Sequence, residues 1–266
     1  MPKVCIDAGH FGYYNQSPVY SKYYESVQMW ELHKLLATEL EKRGITVVKT
    51  RSKMANDLDL ISRSYKAKGC DLLVSLHSNA STAEYTDYPV AIVLRDNNRT
   101  TIDDESKDIG MKLARVVRST MGTNETARTM TRVSNNDRDG NGIKDDEYYG
   151  VLQGCKTVGV PGVILEHSFH TNTKASKWLM NSANLAKLAS AEADCIAEWL
   201  GVKKSISTIK DVADSAPDSW AKEAVEWGVK NKIIFGDQSG NLKLHKDCTR
   251  QELVTFLYRH WKQLNG

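Results

Sequence analysis

Two histidines follow short apolar segments of the chain, and both could bind a metal ion. The segment KVCIDAGH ends at His10, and DLLVSLHSNA contains His77 directly after its apolar part. A third apolar segment, GVILE, ends at Glu166. Imidazole and carboxylate groups are usual protein ligands of Zn²⁺, and a carboxylate can also act as a general base and acid. If the fold brings these side chains together, they predict hydrolysis assisted by a metal ion.

Glu25 is a fourth candidate for the same site. It lies four residues before Met29 and seven before Leu32 in a segment with helical spacing. On a helix it therefore falls on the core-facing stripe, in the first turn. A buried carboxylate needs a partner because an unpaired buried charge is costly. The partner could be a metal ion, or the carboxylate could simply favour the helix dipole.

The elements that must position these residues alternate along the chain. Short runs rich in β-branched residues predict strands, and longer segments of helical spacing lie between them. This alternation predicts an α/β fold with a mostly parallel sheet and helices on both faces, within residues 1–201. Ligands bind such folds beyond the carboxyl ends of the strands, where His10, His77 and Glu166 would converge. The predicted strands span 3–8, 45–50, 71–76, 90–94 and 162–166.

The segments IDAGHFG, SLHSNA and VPGVILEHSFHTN closely resemble the zinc-dependent N-acetylmuramoyl-L-alanine amidases, over about residues 1–200. The resemblance implies the zinc amidase fold, with one Zn²⁺ per chain bound by His10, Glu25 and His77. It implies hydrolysis of peptidoglycan at the amide between N-acetylmuramic acid and L-alanine of the stem peptide. Zinc would lower the pKa of its bound water towards ~7. Glu166 would be the catalytic residue, taking the water proton and passing it to the departing nitrogen.

The chain departs from the pattern of that family at two places. DAGHFG stands where D-A-G-H-G-G is common, and EHSFH adds His167 and His170 beside the catalytic position. We interpret both histidines as cleft-lining or structural, with His167 as a candidate substrate contact. Asn79 either orients the His77 loop or contacts the glycan. Arg63 matches an arginine often seen in the family and is interpreted as structural, tying its helix to the strand that follows.

The segment NNDRDGNGIKDDEYYG resembles a calcium loop over residues 137–147. However, its twelfth position is Tyr148 rather than glutamate, and Glu147 comes one residue early. We therefore favour a surface loop rich in glycine and aspartate beside the cleft. The tyrosines that follow could stack on sugar or peptide, and Tyr149 is a candidate substrate contact. His33 lies off the apolar stripe of its helix and is predicted to be at the surface.

The composition changes after Gly201, where a polar stretch predicts a linker over residues 202–210. The remaining residues, 211–266, predict a small helical domain with helices at about 218–231 and 249–262. Thr249 and Glu252 form a capping box at the start of the second helix.

This domain resembles a single S-layer homology repeat, through its Asp-Val opening, SWAKEAVEWGV and TRQEL. The resemblance implies binding of a secondary cell-wall polymer through Arg250, whose guanidinium can donate two hydrogen bonds to an acidic sugar. Trp220 and Trp227 are interpreted as core residues. The repeat usually comes in threes, so a lone copy could associate with copies from other chains, giving a homo-oligomer.

The composition excludes several classes of protein. A net charge of +3 is too small to indicate a nucleic-acid partner, and no apolar stretch approaches the ~18 residues that span a membrane. The five scattered cysteines are interpreted as reduced and mostly buried. No signal peptide precedes the first strand, so we expect an enzyme that is cytoplasmic on synthesis and reaches the wall after release, as a phage endolysin does.

Two other functions stay open from the sequence. One is a zinc peptidase or deacetylase that acts on another cell-wall bond. The other is a wall-anchoring protein whose amidase fold is inactive, although the intact set of His10, Glu25, His77 and Glu166 argues against it.

Overall fold

The computed structural model describes residues 1–95, 101–138, 140, 142–202, 216–237 and 240–265. Contacts between residues divide the chain into two compact units, Met1–Lys204 (unit 1) and Ser205–Gly266 (unit 2). The predicted linker, residues 202–210, lies outside the described residues apart from Val202.

Unit 1 is built on a mostly parallel six-stranded sheet, which confirms the predicted fold class. Its strand order is β2-β1-β3-β6-β4-β5. The pairs β2–β1, β1–β3, β3–β6 and β4–β5 are parallel, and only β4–β6 is antiparallel. The edge strand β5 was not predicted, because three residues are too few to show a pattern. The strands are β1 (Lys3–Ala8), β2 (Thr46–Lys49), β3 (Leu72–Asn79), β4 (Val90–Val93), β5 (Arg128–Met130) and β6 (Gly162–Phe169).

Helices cover both faces of this sheet, as predicted. Helices α1, α3 and α6 pack on one face around the larger apolar core, and α4 packs on the other face with α2 against it. The second face also buries Cys5, Cys70 and Cys155. The helices of unit 1 are α1 (Glu25–Lys42), α2 (Leu60–Tyr65), α3 (Thr101–Met121), α4 (Gly150–Val158), α5 (Thr173–Leu179) and α6 (Ser182–Trp199).

Helix α1 carries the predicted apolar stripe, and its residues Met29, Leu32, Leu36 and Leu40 are all fully buried. The prediction of a surface position for His33 is wrong, since its side chain is only 2% exposed. Helix α1 packs against α6 as well as against β1, β2 and β3, so the surface beside the stripe is also covered.

Unit 2 contains α7 (Lys222–Lys230) and α8 (Arg250–Asn265), close to the predicted bounds. The capping box is confirmed, because Thr249 N–H donates to Glu252 Oε2 and Glu252 N–H donates to Thr249 Oγ1, at 2.8 and 3.2 Å. The prediction of core positions for Trp220 and Trp227 is wrong, since they are 85% and 48% exposed. Two short helices enclose too little volume to bury two indole rings. Across both units, the described helices include none with the length and apolar character needed to cross a membrane.

Candidate active site

Unit 1 brings His10, Glu25 and His77 together. One potential ligand atom from each residue lies within 4.8 Å of the others. The Glu25 carboxylate lies between the two imidazoles, with Oε1 2.9 Å from His77 Nδ1 and Oε2 3.2 Å from His10 Nε2. The two imidazole rings are nearly perpendicular, with centroids 4.9 Å apart. Two imidazoles and one carboxylate form a donor set that suits Zn²⁺ and leaves a fourth position open.

The backbone at the end of β1 explains how the rings approach so closely. His10 follows β1 by two residues and has a positive φ of 58°. A Cβ atom at Gly9 would lie only 2.4 Å from the His77 ring, so glycine is required there. His77 itself lies within β3 rather than after it, because β3 continues to Asn79 through a register irregularity against β6.

Glu25 is the first residue of α1 and is 1% exposed. Its Oε1 accepts a hydrogen bond from Ser78 N–H at 3.0 Å, and its Oε2 accepts one from Asn15 Nδ2 at 2.7 Å. Burial raises the pKa of this carboxyl, but the hydrogen bonds to His10 and His77 outweigh burial and lower the pKa below its usual range. Glu25 is therefore a negatively charged group at the centre of the cluster.

Glu166 lies within β6, which continues beyond the predicted end to Phe169. It is paired in register with His77 of β3, so the two residues are neighbours across the parallel ladder. Its Oε2 atom is buried and has no hydrogen-bond partner among the described residues. Burial, and then the negative charge of Glu25, raise the pKa of Glu166 well above its usual value. The pKa values of the two carboxyls are thus shifted in opposite directions, so the two groups suit different roles.

A second buried charge supports the His10 backbone. Asp7 accepts hydrogen bonds from Ser75 Oγ at 2.7 Å, from the Thr50 hydroxyl and from Arg63, whose Nη1 lies 3.3 Å away. Arg63 also donates to the carbonyl of His10 at 3.1 Å. Its contacts therefore fit a structural role, but they tie α2 to β1 and the His10 turn rather than to the strand that follows α2.

His167 lies behind the cluster rather than in the cleft. Its side chain is fully buried, with Nδ1 2.9 Å from the His77 carbonyl oxygen and Nε2 2.7 Å from Glu192 Oε1. This position corrects the prediction that His167 contacts substrate, because no ring atom is free to do so. His170 is also buried, and its Nδ1 lies 2.8 Å from the Ser78 carbonyl oxygen.

The other predicted contacts do not join the cluster in the described structure. Asn79 Oδ1 accepts a hydrogen bond from the N–H of the next residue, Ala80, at 2.8 Å, and its orientation of the His77 loop stays a prediction. Tyr149 precedes α4, packs partly buried on the second face and contacts the Tyr148 ring edge-to-face at 5.1 Å. Arg250 begins α8 in unit 2 and is exposed. A substrate or wall contact for these three residues stays a prediction.

The loop at 137–147 is described only in part, since Asp139 and Asn141 lie outside the described residues. The carboxylate of Asp137 accepts from the N–H groups of Gly140 and Gly142 at 2.8 and 2.9 Å. At the other end of the loop, Glu147 is buried and accepts from Arg95 N–H at 2.5 Å. Among the residues described, only the His10 cluster has the geometry of a metal site.

Sequence reasoning missed Asn15, which joins two members of the cluster. Its Nδ2 lies 2.7 Å from Glu25 Oε2 and 3.1 Å from His10 Nε2. The backbone of Asn15 has a positive φ of 53°, which asparagine tolerates better than most residues. The sequence offered one signal for it, since Asn15 lies on the short connection between the candidate ligands His10 and Glu25.

One family model and several solved structures match the chain. Residues 4–198 match the model of the Amidase_3 family, N-acetylmuramoyl-L-alanine amidase. The chain is similar to the catalytic domain of CwlV, an N-acetylmuramoyl-L-alanine amidase from Bacillus (Paenibacillus) polymyxa var. colistinus. They are 22% identical with a TM-score of 0.61, over 76% of this chain and 100% of that one.

Two further solved structures share the fold. An N-acetylmuramoyl-L-alanine amidase from Clostridium difficile 630 is 22% identical, with a TM-score of 0.60 over 76% of this chain and 98% of that one. The amidase AmiC2 of Nostoc punctiforme is 20% identical, with a TM-score of 0.56 over 75% and 97% of the two chains. No curated protein sequence matches the chain significantly.

Proposed function

Because the chain belongs to the N-acetylmuramoyl-L-alanine amidase family, we propose that unit 1 uses one Zn²⁺, held by His10, Glu25 and His77, to hydrolyse peptidoglycan. The bond cleaved is the amide that joins the lactyl group of N-acetylmuramic acid to L-alanine of the stem peptide. The observation that carries the proposal is the convergence of the three ligand atoms within 4.8 Å, beside a fourth, protonatable carboxyl.

The donor set supports zinc rather than magnesium or calcium. Two imidazole nitrogens with one carboxylate suit Zn²⁺, whereas the two harder cations prefer an all-oxygen shell. When bound, zinc would polarise the amide carbonyl and activate a water molecule. Gly9 keeps the His77 ring free of a neighbouring Cβ, and Ser78 N–H and Asn15 Nδ2 fix the orientation of the Glu25 carboxylate.

Glu166 is proposed to move the proton in this reaction. Its carboxylate accepts a proton from the attacking water as the water adds to the amide carbonyl carbon. Glu166 then holds that proton and delivers it to the amide nitrogen of L-alanine. The second transfer matters because an amide nitrogen leaves readily only after it has gained a proton.

The products of digestion test this reaction against the alternatives. Purified peptidoglycan should yield new L-alanine amino termini and no new reducing sugars, as read by mass spectrometry. A chelator should stop the reaction and added Zn²⁺ should restore it. New amino termini at another amino acid would instead indicate a peptidase. New free amino groups on glucosamine would indicate a deacetylase. Intact wall after digestion with the zinc-loaded protein would indicate an inactive anchor.

The metal ligands have a test of their own. His10→Ala and His77→Ala should each lose zinc and wall hydrolysis, because two remaining ligands hold the ion poorly. Zinc content measured by plasma mass spectrometry is the readout, with His33→Ala as a buried histidine control outside the cluster. Full zinc occupancy in His77→Ala would reject the assignment of ligands.

The role of unit 2 rests on its resemblance to a wall-binding repeat. We propose that it binds a secondary cell-wall polymer, with Arg250 as a contact, and holds unit 1 near its substrate. The exposed position of Arg250 on α8 leaves its guanidinium accessible to such a ligand. Synthesis in the cytoplasm followed by release to the wall stays part of the same proposal.

A further inference from the structure

An aromatic segment lies directly beside His10 and takes no part in the reaction proposed above. Residues 11–14 read FGYY and belong to the connection between β1 and α1. Tyr13 is 74% exposed and Tyr14 is 51% exposed. Exposed aromatic side chains beside a candidate site are candidates for ligand contacts.

The exposed rings adjoin a proposed metal ligand. The Tyr14 ring stacks on the His10 ring, with centroids 5.2 Å apart and planes 14° from parallel. Phe11 stacks against Tyr14 at 6.0 Å, with an angle of 27° between the planes. The Tyr13 ring contacts the Tyr24 ring edge-to-face, with centroids 5.4 Å apart. The two tyrosines therefore pack against different partners, Tyr13 against Tyr24 and Tyr14 against His10. A stack of aromatic rings thus extends from His10 to Tyr14 and Phe11, and Tyr13 belongs to a second aromatic pair in the same segment.

Backbone hydrogen bonds hold this segment in place. Tyr14 N–H donates to Ser26 Oγ at 2.7 Å, and the Ser26 hydroxyl donates to the Gly12 carbonyl at 2.8 Å. Gly12 N–H donates to the carbonyl of Met54 at 2.9 Å. A surface fixed in this way loses little conformational entropy when a ligand binds.

We propose that Tyr13 and Tyr14 form a subsite that binds the sugar ring adjacent to the scissile amide. This inference rests on the proposed function, which sets the amide at the His10 cluster. In that substrate only a lactyl group separates the sugar from the amide, so the sugar lies within reach of the Tyr14 ring, which stacks on His10, and of its neighbour in sequence, Tyr13. A pyranose offers an apolar C–H face and hydroxyls, which match the apolar ring and polar tip of tyrosine.

The charge of the segment favours the sugar over the stem peptide. Residues 11–19, FGYYNQSPV, contain no charged side chain. The stem peptide carries carboxylates and would be bound best by cationic groups, which can form charge-assisted hydrogen bonds. The neutral sugar ring needs no such partner.

A binding experiment tests the subsite without requiring hydrolysis. The zinc-loaded, full-length Glu166→Gln protein is titrated by calorimetry with two probes, N-acetylmuramoyl dipeptide and the lactoyl dipeptide that lacks the sugar. Tyr13→Ala and Tyr14→Ala in this background should each weaken binding of the sugar-bearing probe by about fivefold, the scale of one aromatic contact, and leave the sugarless probe unchanged. Tyr65→Ala, a control with a tyrosine 50% exposed on α2, should change neither.

Two results would overturn the subsite. One is undetectable binding of N-acetylmuramoyl dipeptide at millimolar concentration. The other is equal affinity for both probes with and without the tyrosines. Tyr13→Ala guards against an indirect effect on His10, because the Tyr13 ring contacts Tyr24 edge-to-face rather than His10. Zinc content is measured for every variant.

Failure of the subsite and failure of the proposed function give different results. If the protein binds the sugar probe through Tyr13 and Tyr14 but releases no L-alanine termini from peptidoglycan, the subsite is supported and the proposed reaction is rejected. If the protein releases those termini while the tyrosine variants bind the sugar probe as tightly as the parent protein, the reaction is supported and the subsite is rejected.

Discussion

At the scale of single residues, the site is defined by two carboxyl groups whose pKa values are shifted in opposite directions. Glu25 is held charged by two imidazoles despite its burial, whereas Glu166 is partly exposed and its buried Oε2 atom has no hydrogen-bond partner among the described residues. The negative charge of Glu25 helps to raise the pKa of Glu166. Environments that separate the pKa values of neighbouring groups assign them different roles. Here the charged group suits a metal ligand and the protonatable group suits an acid–base catalyst.

Glu166→Gln tests the second role. Glutamine keeps the shape of the side chain but cannot accept a proton, so turnover should fall by at least ~10²-fold while zinc stays bound. Steady-state hydrolysis of a soluble muramoyl peptide and zinc content are the two measurements. Activity near that of the wild type would show that Glu166 moves no proton in the reaction.

The same variant should be more stable than the wild type when no metal is present. A carboxyl whose pKa is higher in the folded chain than in the unfolded chain lowers stability as pH rises above its unfolded pKa, about 4.3. Removing it should therefore raise the melting temperature at pH 7, with no difference at pH 4. Thermal unfolding in chelator gives both values, and Glu105→Gln, at an exposed position on α3, should leave the melting temperature unchanged at both.

Asn15 should act as a positioning residue for the metal ligands. Its Nδ2 holds Glu25 Oε2 at 2.7 Å, so loss of the amide frees the carboxylate to rotate. We expect Asn15→Ala to weaken zinc binding by about 10-fold to 100-fold, the range for groups that orient a ligand. Competition with a zinc chelator measures the affinity, and Gln16→Ala serves as the control. Equal affinity in Asn15→Ala and wild type would remove Asn15 from the site.

At the scale of elements, the pairing of β3 with β6 and the β1–α1 connection build the site together. The parallel register sets His77 beside Glu166. The connection returns the chain from His10 to Glu25 within fifteen residues, so both lie at one edge of the sheet. Helix α1 must then be anchored firmly, because its first residue, Glu25, is the proposed third metal ligand. Its burial against the sheet and α6 provides that anchor.

The burial of α1 also predicts sensitivity to acid. Burial and the positive charge of Lys49 lower the pKa of His33 to about 4. The unfolded chain binds a proton here near pH 6.5, whereas the folded chain does not until about pH 4, so stability is lost as pH falls between these values. His33→Leu should lose less stability between pH 7 and pH 5 in urea unfolding. An NMR titration that places His33 near 6.5 would contradict this prediction.

At the scale of the whole molecule, unit 2 exposes more apolar surface than a small unit usually leaves in water. The described exposed side chains include two on α8 that are 60% and 58% exposed, Leu257 and Trp261. A unit of this size buries little core by itself. We therefore expect copies of unit 2 from different chains to associate through this surface.

Removal of residues 205–266 should separate the two roles. The remaining unit 1 should be a folded monomer that still cuts soluble fragments but binds whole walls less well. Sedimentation equilibrium on both forms measures association, and a monomeric full-length protein would reject it. Arg250→Ala in the full chain is the matched variant for wall binding, because it removes the proposed contact and keeps unit 2. Undiminished wall binding by the truncated protein would reject the targeting role of unit 2.

Much of this protein could be predicted from its sequence because the signals are local. Apolar runs and helical stripes gave the α/β fold, and the capping box of Thr249 and Glu252 could be identified from two residue types at the correct spacing. His10 and His77 follow apolar runs, Glu166 ends one and Glu25 lies on a core-facing stripe, so the sequence pattern suggested these candidates. Their individual roles came from the resemblance to the zinc amidases.

Only the tertiary structure decided what lies beside each residue. His167 is buried because Glu192 of α6 and the His77 carbonyl close on it from distant parts of the chain. His33 is buried because α1 is covered on more than its apolar stripe, and Trp220 is exposed because nothing in the described part of unit 2 covers it. Periodicity along one element states which face it buries, but the breadth of that burial depends on neighbours that the element's own residues do not encode.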